Sequence, residues 1–329
     1  MTIPLDSIPS FTADEAAAAA EREYGIRGAT TSLPSERDQN FLIASPGGVR
    51  HVLKIANSGD PPELLDFQNQ GMRRVSLAAA GCRVQEVMRS LRGREIERVR
   101  NERTGVEHSL RLMSWIDGRV LAEVPARDAA LLDSVGAGLA RVDRALGDFA
   151  HPAMHRVLQW DIRHASMARE HLHLLPAVQR AQIERHLGRW RTVDWRLLRH
   201  GVIHGDANDH NLLVEGGRMA GLLDFGDMAF TAVACEIAIA LAYVMLGQPR
   251  PLEPAGHLAR AYQRAHPLSD VERRALPTLV LSRLAMSVCY SAHNRARNPG
   301  DPYQVVSETA AWELLDRLEP HAADGTLTF

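Results

Sequence analysis

Two apolar runs, each ending in an acid-bearing turn, constrain this chain more than any other feature. Val202-Ile203 leads into His204-Gly205-Asp206-Ala207-Asn208-Asp209-His210-Asn211, and the chain returns as Leu212-Leu213-Val214. A little further on, Gly221-Leu222-Leu223 delivers Asp224 to the turn Phe225-Gly226-Asp227. Short β-like runs of this kind anchor polar loops rigidly, so the two loops can converge on one ion.

The surroundings of these loops are helical. Apolar spacing predicts helices over 126–145, 160–173, 176–187, 228–246, 252–265, 270–294 and 307–318, with a polar interhelical turn at 295–301. The first third reads differently. Thr12 and Glu15 form a capping box that opens a helix running to about Glu23. Phe41–Ser45 and Val49–Ile55 flank Pro46-Gly47-Gly48, which predicts a hairpin. Alternation along its second strand places Arg50, Val52 and Lys54 on one face. Pro61-Pro62 opens a helix near Glu63, with Leu64, Leu65, Gln68 and Met72 at helical spacing, and strands are expected around 84–90 and 107–113.

At 329 residues the chain exceeds what one core usually supports, about 250–300 residues. The expected fold class is therefore α+β and bilobal. A first lobe over 1–113 carries an antiparallel sheet and a helix, 114–118 forms a hinge, and 119–329 forms a mainly helical lobe. That second lobe holds the acid-bearing loops at 202–214 and 221–227, and the residue types and resemblance below make the first lobe nucleotide-binding and the two loops catalytic and metal-binding.

Several classes are disfavoured. A formal net charge of −2 supplies no field that would gather nucleic acid or an anionic membrane. Cys82, Cys235 and Cys289 are odd in number and scattered, so they read as buried thiols of a reducing compartment. Asp6, Asp14 and Glu15 surround the alanine run 16–20, which does not resemble a secretory leader, and a cytoplasmic protein is expected. Met228–Leu246 is apolar and nearly long enough to span a bilayer, yet Glu236 lies in its middle, so a buried core helix is expected.

The residue types in the two loops suit phosphoryl transfer. Magnesium takes hard oxygen donors, which Asp224 and the Asn211 amide oxygen could supply, leaving Asp206 to face an acceptor. The reaction needs in-line oxygens, neutralised phosphate charge and a carboxylate that orients the attacking hydroxyl and accepts its proton. Lys54, the metal ion and Asp206 cover those needs.

The pattern HGDxxxxN followed by DFG, with an upstream strand lysine, resembles the aminoglycoside phosphotransferase branch of the protein-kinase-like fold. LPSERDQNF at 33–41, HGDANDHN at 204–211 and DFGDM at 224–228 are most similar to the hydroxylysine kinase group within that family, and the similarity spans nearly the whole chain. The resemblance implies Asp206 as catalytic base, Asn211 and Asp224 as ligands of Mg2+, and Lys54 on the α and β phosphates of ATP or GTP. It also implies backbone hydrogen bonds from Ser114, Trp115 and Ile116 to the purine.

The chain departs from the pattern in places. The loop Ser35-Glu36-Arg37-Asp38-Gln39-Asn40 would cover the phosphates, with Ser35 among the nucleotide contacts, yet it lacks glycine. Gln68 occupies the place of the helix glutamate that partners the lysine, with Glu63 and Asp66 as nearby acids. Gly205 replaces the arginine of the protein-kinase loop, and an apolar run follows Asp227 at once, so a small acceptor is expected.

Other polar residues have structural readings beside functional ones. His204 reads as a loop-fixing residue that hydrogen-bonds the Asp224 turn. Asp209 and Asp227 could bind a substrate ammonium, or Asp227 could cap a helix starting at Met228. Glu236 reads as a buried structural acid and Trp160-Asp161 as a helix feature, all three being substrate neighbours in the alternative. Arg295 and Arg297 read as solvated loop residues, with a substrate carboxylate as the alternative. The expected function is γ-phosphoryl transfer from ATP or GTP to a small hydroxyl-bearing amine, with 5-hydroxy-L-lysine leading. An aminoglycoside- or choline-type acceptor shares every catalytic residue. A catalytically silent nucleotide-binding module is the alternative of a different class.

Overall fold

The structure, a computed structural model, describes residues 8–78, 81–297, 299 and 307–329. Asp6, and Asp301 with part of the expected 295–301 turn, lie outside the described residues. The chain divides into two compact units, one with residues up to Arg73 and Val84–Asp117, the other with Arg74–Arg83 and Gly118–Phe329.

In the first unit, helix α1 (Ala13–Tyr24) opens on the expected capping box, with Thr12 Oγ1 accepting from Glu15 N at 3.2 Å and Glu15 Oε2 accepting from Thr12 N at 2.7 Å. It ends at Gly25, whose φ of 68° suits a residue without Cβ. An antiparallel sheet follows, built from β1 (Ala29–Leu33), β2 (Gln39–Ala44), β3 (Arg50–Ile55), β4 (Val87–Met88), β5 (Glu97–Arg100) and β6 (Glu107–Ser114). Helix α2 (Pro62–Ala78) directly follows the β3 strand that carries Lys54, and its residues from Arg74 onward group with the second unit.

The sheet order is β1-β2-β3-β6-β4, with β5 also on β6. One face packs Phe41, Ile43, Leu53 and Leu112 against Phe11 and the alanines of α1. The expected hairpin forms, with Phe41 lying opposite Leu53. Strands β1 and β5 were not expected. Ala29-Thr30-Thr31-Ser32-Leu33 is a largely exposed edge without apolar alternation. Glu97 of β5 is fully buried against Ser90, Arg92 and Arg94, so its row carries charge where a strand pattern would carry an aliphatic side chain.

The second unit is mainly helical, with α3 (Ala129–Leu146), α4 (Ala177–Trp190), α5 (Ala234–Val244), α6 (Leu252–Ala265), α7 (Asp270–Arg297) and α8 (Glu308–Ala323). Helix α3 packs closely on α6 because Gly136 faces its backbone; a Cβ there would lie 2.2 Å from Leu258 O. The short strands are β7 (Arg119–Val120), β8 (His200–Ile203), β9 (Leu212–Glu215), β10 (Arg218–Leu222) and β11 (Ala229–Ala232). Gly216 and Gly217, both at positive φ, close the β9–β10 hairpin.

Three expectations need correction here. The single helix over 228–246 is two elements: Ala229–Ala232 pairs antiparallel with β8, and the helix begins only at Ala234. A continuous apolar run fits a buried strand as well as a buried helix, and the backbone groups of β8 decide it. The stretch 160–173 forms 3-10 turns over Ile162–Leu174, broken at His164, rather than an α-helix. Helix α7 continues through Arg295 and Arg297, which were expected in a loop. Helix α7 is long and apolar enough to cross a membrane, but 83% of its apolar window is buried inside the protein. All three cysteines are buried thiols.

Candidate active site

The first unit gathers a buried polar row across its central strands. Lys54 of β3 lies opposite Asn40 of β2 and Arg111 of β6, and all three side chains are buried. From α2, Gln68 Oε1 accepts from Arg111 Nη2 at 2.8 Å, and Asn69 Oδ1 accepts from Nη1 at 2.8 Å. Gln68 is thus tied to Arg111 of the neighbouring strand, a partner that the kinase-like lysine–glutamate pattern does not contain.

The glycine-free loop is held by side chains instead. Arg37 pairs with Asp60 at 2.7 Å, and Asp38 Oδ1 accepts from Asn57 N at 3.1 Å, which fixes the half-buried Ser35 segment to the turn after β3. Ser114 N–H donates to Glu86 O at 2.8 Å, Ser114 Oγ accepts from Glu86 N at 2.8 Å, and Ser114 O accepts from Gln85 Nε2 at 3.2 Å. Ser114 is therefore tied to the Gln85-Glu86 segment, its carbonyl oxygen keeping a second lone pair. Trp115 N–H donates to Arg50 O at 3.3 Å.

The second unit brings Asp206, Asn211 and Asp224 onto adjacent loops. Strand β8 leads into Asp206, β9 starts just after Asn211, and β10 ends just before Asp224. Asn211 Nδ2 donates to Asp206 Oδ2 at 2.8 Å and to Asp206 O at 2.9 Å, while Leu223 N donates to Asn211 O at 2.9 Å. With its nitrogen committed to Asp206, Asn211 keeps its amide oxygen as the available donor atom. Asp224 is exposed and at φ 55°, the one non-glycine residue at positive φ among the described residues. Backbone held in that region concentrates at functional sites.

His204 joins the two loops. Its Nε2 donates to Leu223 O at 2.9 Å and its Nδ1 accepts from Asp206 N at 3.2 Å. Complete burial pushes its pKa down to about 4, so the ring is neutral and structural, as expected. Glu236 is also fully buried, and its Oε2 accepts from Gly205 N at 2.8 Å. It anchors the catalytic loop to α5 and is withdrawn from the substrate neighbours.

Gly205 has a physical reason to be glycine. Its φ is +82°, and a Cβ would lie 2.5 Å from Asp227 O. Arginine, its protein-kinase counterpart, cannot fit there. Gly205→Ala is expected to cost at least about 1–3 kcal/mol from backbone strain alone, read as a lower melting temperature with concurrent loss of turnover.

The remaining predicted residues divide. Asp209 is buried and ion-paired with Arg127 at 3.0 Å, and Arg127 also donates to Tyr243 O and Val244 O. It is a structural tie, not a free partner for an ammonium group. Asp227 cannot cap a helix at Met228, since a strand follows it. Asp161 and Asp227 line one small cavity beside Gly205, with about 10 Å³ of water-accessible volume. Asp161 Oδ1 already accepts from Arg163 N at 2.9 Å and Thr231 Oγ1 at 3.0 Å. Arg295 pairs with Glu308, while Arg297 is exposed.

Sequence reasoning missed Asn208 and Arg283. Asn208 Nδ2 donates to Asp206 Oδ2 at 2.9 Å while its Oδ1 accepts from His210 N and Asn211 N, so it organises the loop from within. Arg283 of α7 is 2% exposed and pairs with Asp206 Oδ1 at 2.7 Å. An arginine inside the apolar run Leu281-Ser282-Arg283-Leu284 was the available signal, because a buried charge needs a partner. Burial, the largest influence, pushes the Asp206 pKa up, and Asp227 and Asp224 add to the rise; Arg283 and Asn208 oppose it, and the three donors on its two oxygens bind the ionised carboxylate.

An antiparallel sheet unit followed by a mainly helical unit with this loop constellation defines a kinase-like small-molecule phosphotransferase. The chain belongs to the phosphotransferase enzyme family, which it matches over residues 30–276. It is 31% identical to the hydroxylysine kinase of Mus musculus, covering 94% of this chain and 90% of that one. It is 28% identical to a homoserine kinase of Rhodospirillum rubrum over 74% of this chain and 73% of that one. Among solved structures, a microcompartment-associated aminopropanol kinase superposes with a TM-score of 0.75 at 17% identity, covering 94% of this chain and 98% of that chain. The amicoumacin kinase hAmiN, in complex with AMP-PNP, Ca2+ and Ami, gives 0.72 at 17% identity, covering 93% and 94%. These two establish likeness of fold.

Proposed function

We propose that this phosphotransferase moves the γ-phosphoryl group of ATP or GTP to the hydroxyl of a small amino alcohol, with 5-hydroxy-L-lysine the leading acceptor. The observation that carries the reading is the Asp206 carboxylate, held by Asn208 and Asn211 on Oδ2 and by Arg283 on Oδ1. The choice of acceptor draws on the similarity to hydroxylysine kinases along 94% of the chain.

In this reading the acceptor oxygen attacks the γ phosphorus and forms a new O–P bond. The bond from that phosphorus to the β,γ-bridging oxygen breaks, and the nucleoside diphosphate leaves with the electron pair. Asp206 orients the acceptor hydroxyl and takes its proton. Lys54 binds the nucleotide phosphates. Asn211 Oδ1 and the exposed Asp224 carboxylate are hard oxygen donors that fit Mg2+. When bound, that ion neutralises phosphate charge. Asp227 and Asp161, which line one cavity with Gly205, are the acids that could meet an acceptor's ammonium group.

Coupled turnover across a panel of 5-hydroxylysine, homoserine, aminopropanol, choline and an aminoglycoside, each with ATP and with GTP, tests the proposal. The expected result is kcat/KM for 5-hydroxylysine at least about 100-fold above the others, since a site built to hydrogen-bond a substrate group can reject an analogue lacking it by about 10,000-fold or more. Preference for another acceptor overturns the substrate, and nucleotide binding without acceptor-dependent turnover overturns the enzyme reading.

A further inference from the structure

Arg283 is a buried charge in the middle of α7, where its neighbours Leu281, Leu284 and Ala285 are buried apolar side chains. Its guanidinium lies 4.6 Å from the Trp160 ring centroid and 5.5 Å from that of Tyr243. Within this aromatic slot the two ends of the fork have different partners: Nη1 donates to Trp160 O at 2.9 Å and Nη2 to Asp206 Oδ1 at 2.7 Å. Trp160 is itself braced edge-on by Tyr290, whose hydroxyl donates to Gln159 O at 2.9 Å.

This arrangement fixes more than charge. Oδ2 of Asp206 already accepts from both Asn208 and Asn211. A carboxylate oxygen offers about two lone-pair sites, so Oδ2 is saturated and Oδ1 retains one after Arg283 has taken the other. The aromatic slot and the Trp160 carbonyl set the angle of the guanidinium plane, and the guanidinium sets the rotation of the carboxylate.

We propose that Arg283 is the positioning residue of the reaction: by bridging Trp160 O and Asp206 Oδ1 it aims the last free lone pair of Oδ1 at the acceptor hydroxyl. The proposal rests on Asp206 as the acceptor-facing base. Arg283 touches neither nucleotide nor phosphate in this role. A lysine cannot replace it, because one ammonium on a flexible stem does not hold two acceptors in a planar fork.

Asp206→Ala comes first: loss of transfer with retained nucleotide binding upholds the base, and retained transfer sinks the site reading itself, separately from the claim for Arg283. Arg283→Lys and Arg283→Ala are then compared for melting temperature, kcat and the KM of nucleotide and acceptor. Misplacing a catalytic group by about 1 Å costs on the order of 100-fold, so kcat should fall by about that factor in both variants. The nucleotide KM should stay within about twofold, and added guanidinium should restore kcat to Arg283→Ala but not to Arg283→Lys. Wild-type kcat in a folded Lys or Ala variant, or a loss confined to nucleotide KM, overturns the proposal. Should the Ala variant fail to fold, the kcat of Arg283→Lys decides alone, since it keeps the charge and loses only the fork.

Discussion

Asp206→Ala should abolish acceptor phosphorylation while leaving nucleotide affinity within about twofold. Positioned general bases contribute roughly 100- to 10,000-fold, and the Asp206 carboxylate combines proton acceptance with orientation of the attacking oxygen. Removing it also releases Asn208 Nδ2, Asn211 Nδ2 and Arg283 Nη2 from one anion. The loss should therefore lie at the upper end of that range. Asp206→Asn sharpens the test. Whichever way its amide turns, the nitrogen faces donors, either Arg283 on one side or the two asparagines on the other. That variant should lose turnover as fully as alanine and gain nothing in stability. Single-turnover transfer together with nucleotide titration checks both points, and turnover within tenfold of wild type in either variant removes Asp206 as the base.

How much of this was legible in the sequence depends on how far apart the interacting groups lie. Asp206, Asn211 and Asp224 could be found because each sits at the end of a short apolar run, and the strands that position them are neighbours in sequence. The same locality made the Thr12 capping box and the β2–β3 hairpin readable. Arg283 could not be assigned, because its partner lies 77 residues away and only the packing of α7 on the catalytic loop brings them together. Asp209 was misread for a related reason. Its neutralising Arg127 is 82 residues distant, and before that ion pair is known a loop aspartate reads as open to substrate.

The first unit shows a subtler limit. Position 68 was identified by analogy with a lysine–glutamate pair, but the glutamine there belongs to a different solution, in which buried Arg111 is bound by the neutral amides of Gln68 and Asn69 and by Leu65 O. Neutral amide and carbonyl oxygens thus satisfy donors of a buried guanidinium. Strand β11 failed for want of periodicity, since Ala229-Phe230-Thr231-Ala232 lies in a mostly apolar run that carries the same signal in either conformation.

Asp224 carries the other large expected effect, and its backbone dictates which substitution can measure it. At φ 55° an alanine would add about 1–2 kcal/mol of left-handed strain, so Asp224→Ala mixes local distortion with the loss of a ligand. Asparagine tolerates that conformation, and its side-chain oxygen can still accept the Gly226 N–H that Asp224 Oδ1 now accepts at 3.1 Å. Asp224→Asn therefore keeps the turn and removes only the negative charge. Affinity for the magnesium–nucleotide complex should fall by more than about 100-fold, beyond the roughly 10- to 100-fold cost of losing an outer-shell partner, and affinity for metal-free nucleotide should stay unchanged or rise slightly as one repelling carboxylate disappears. Calorimetric titration with and without Mg2+ reads the two affinities separately. Equal weakening of both would mean that Asp224 supports the fold of the loop rather than the ion, and the pairing of Asn211 with Asp224 would then lose its chemical basis.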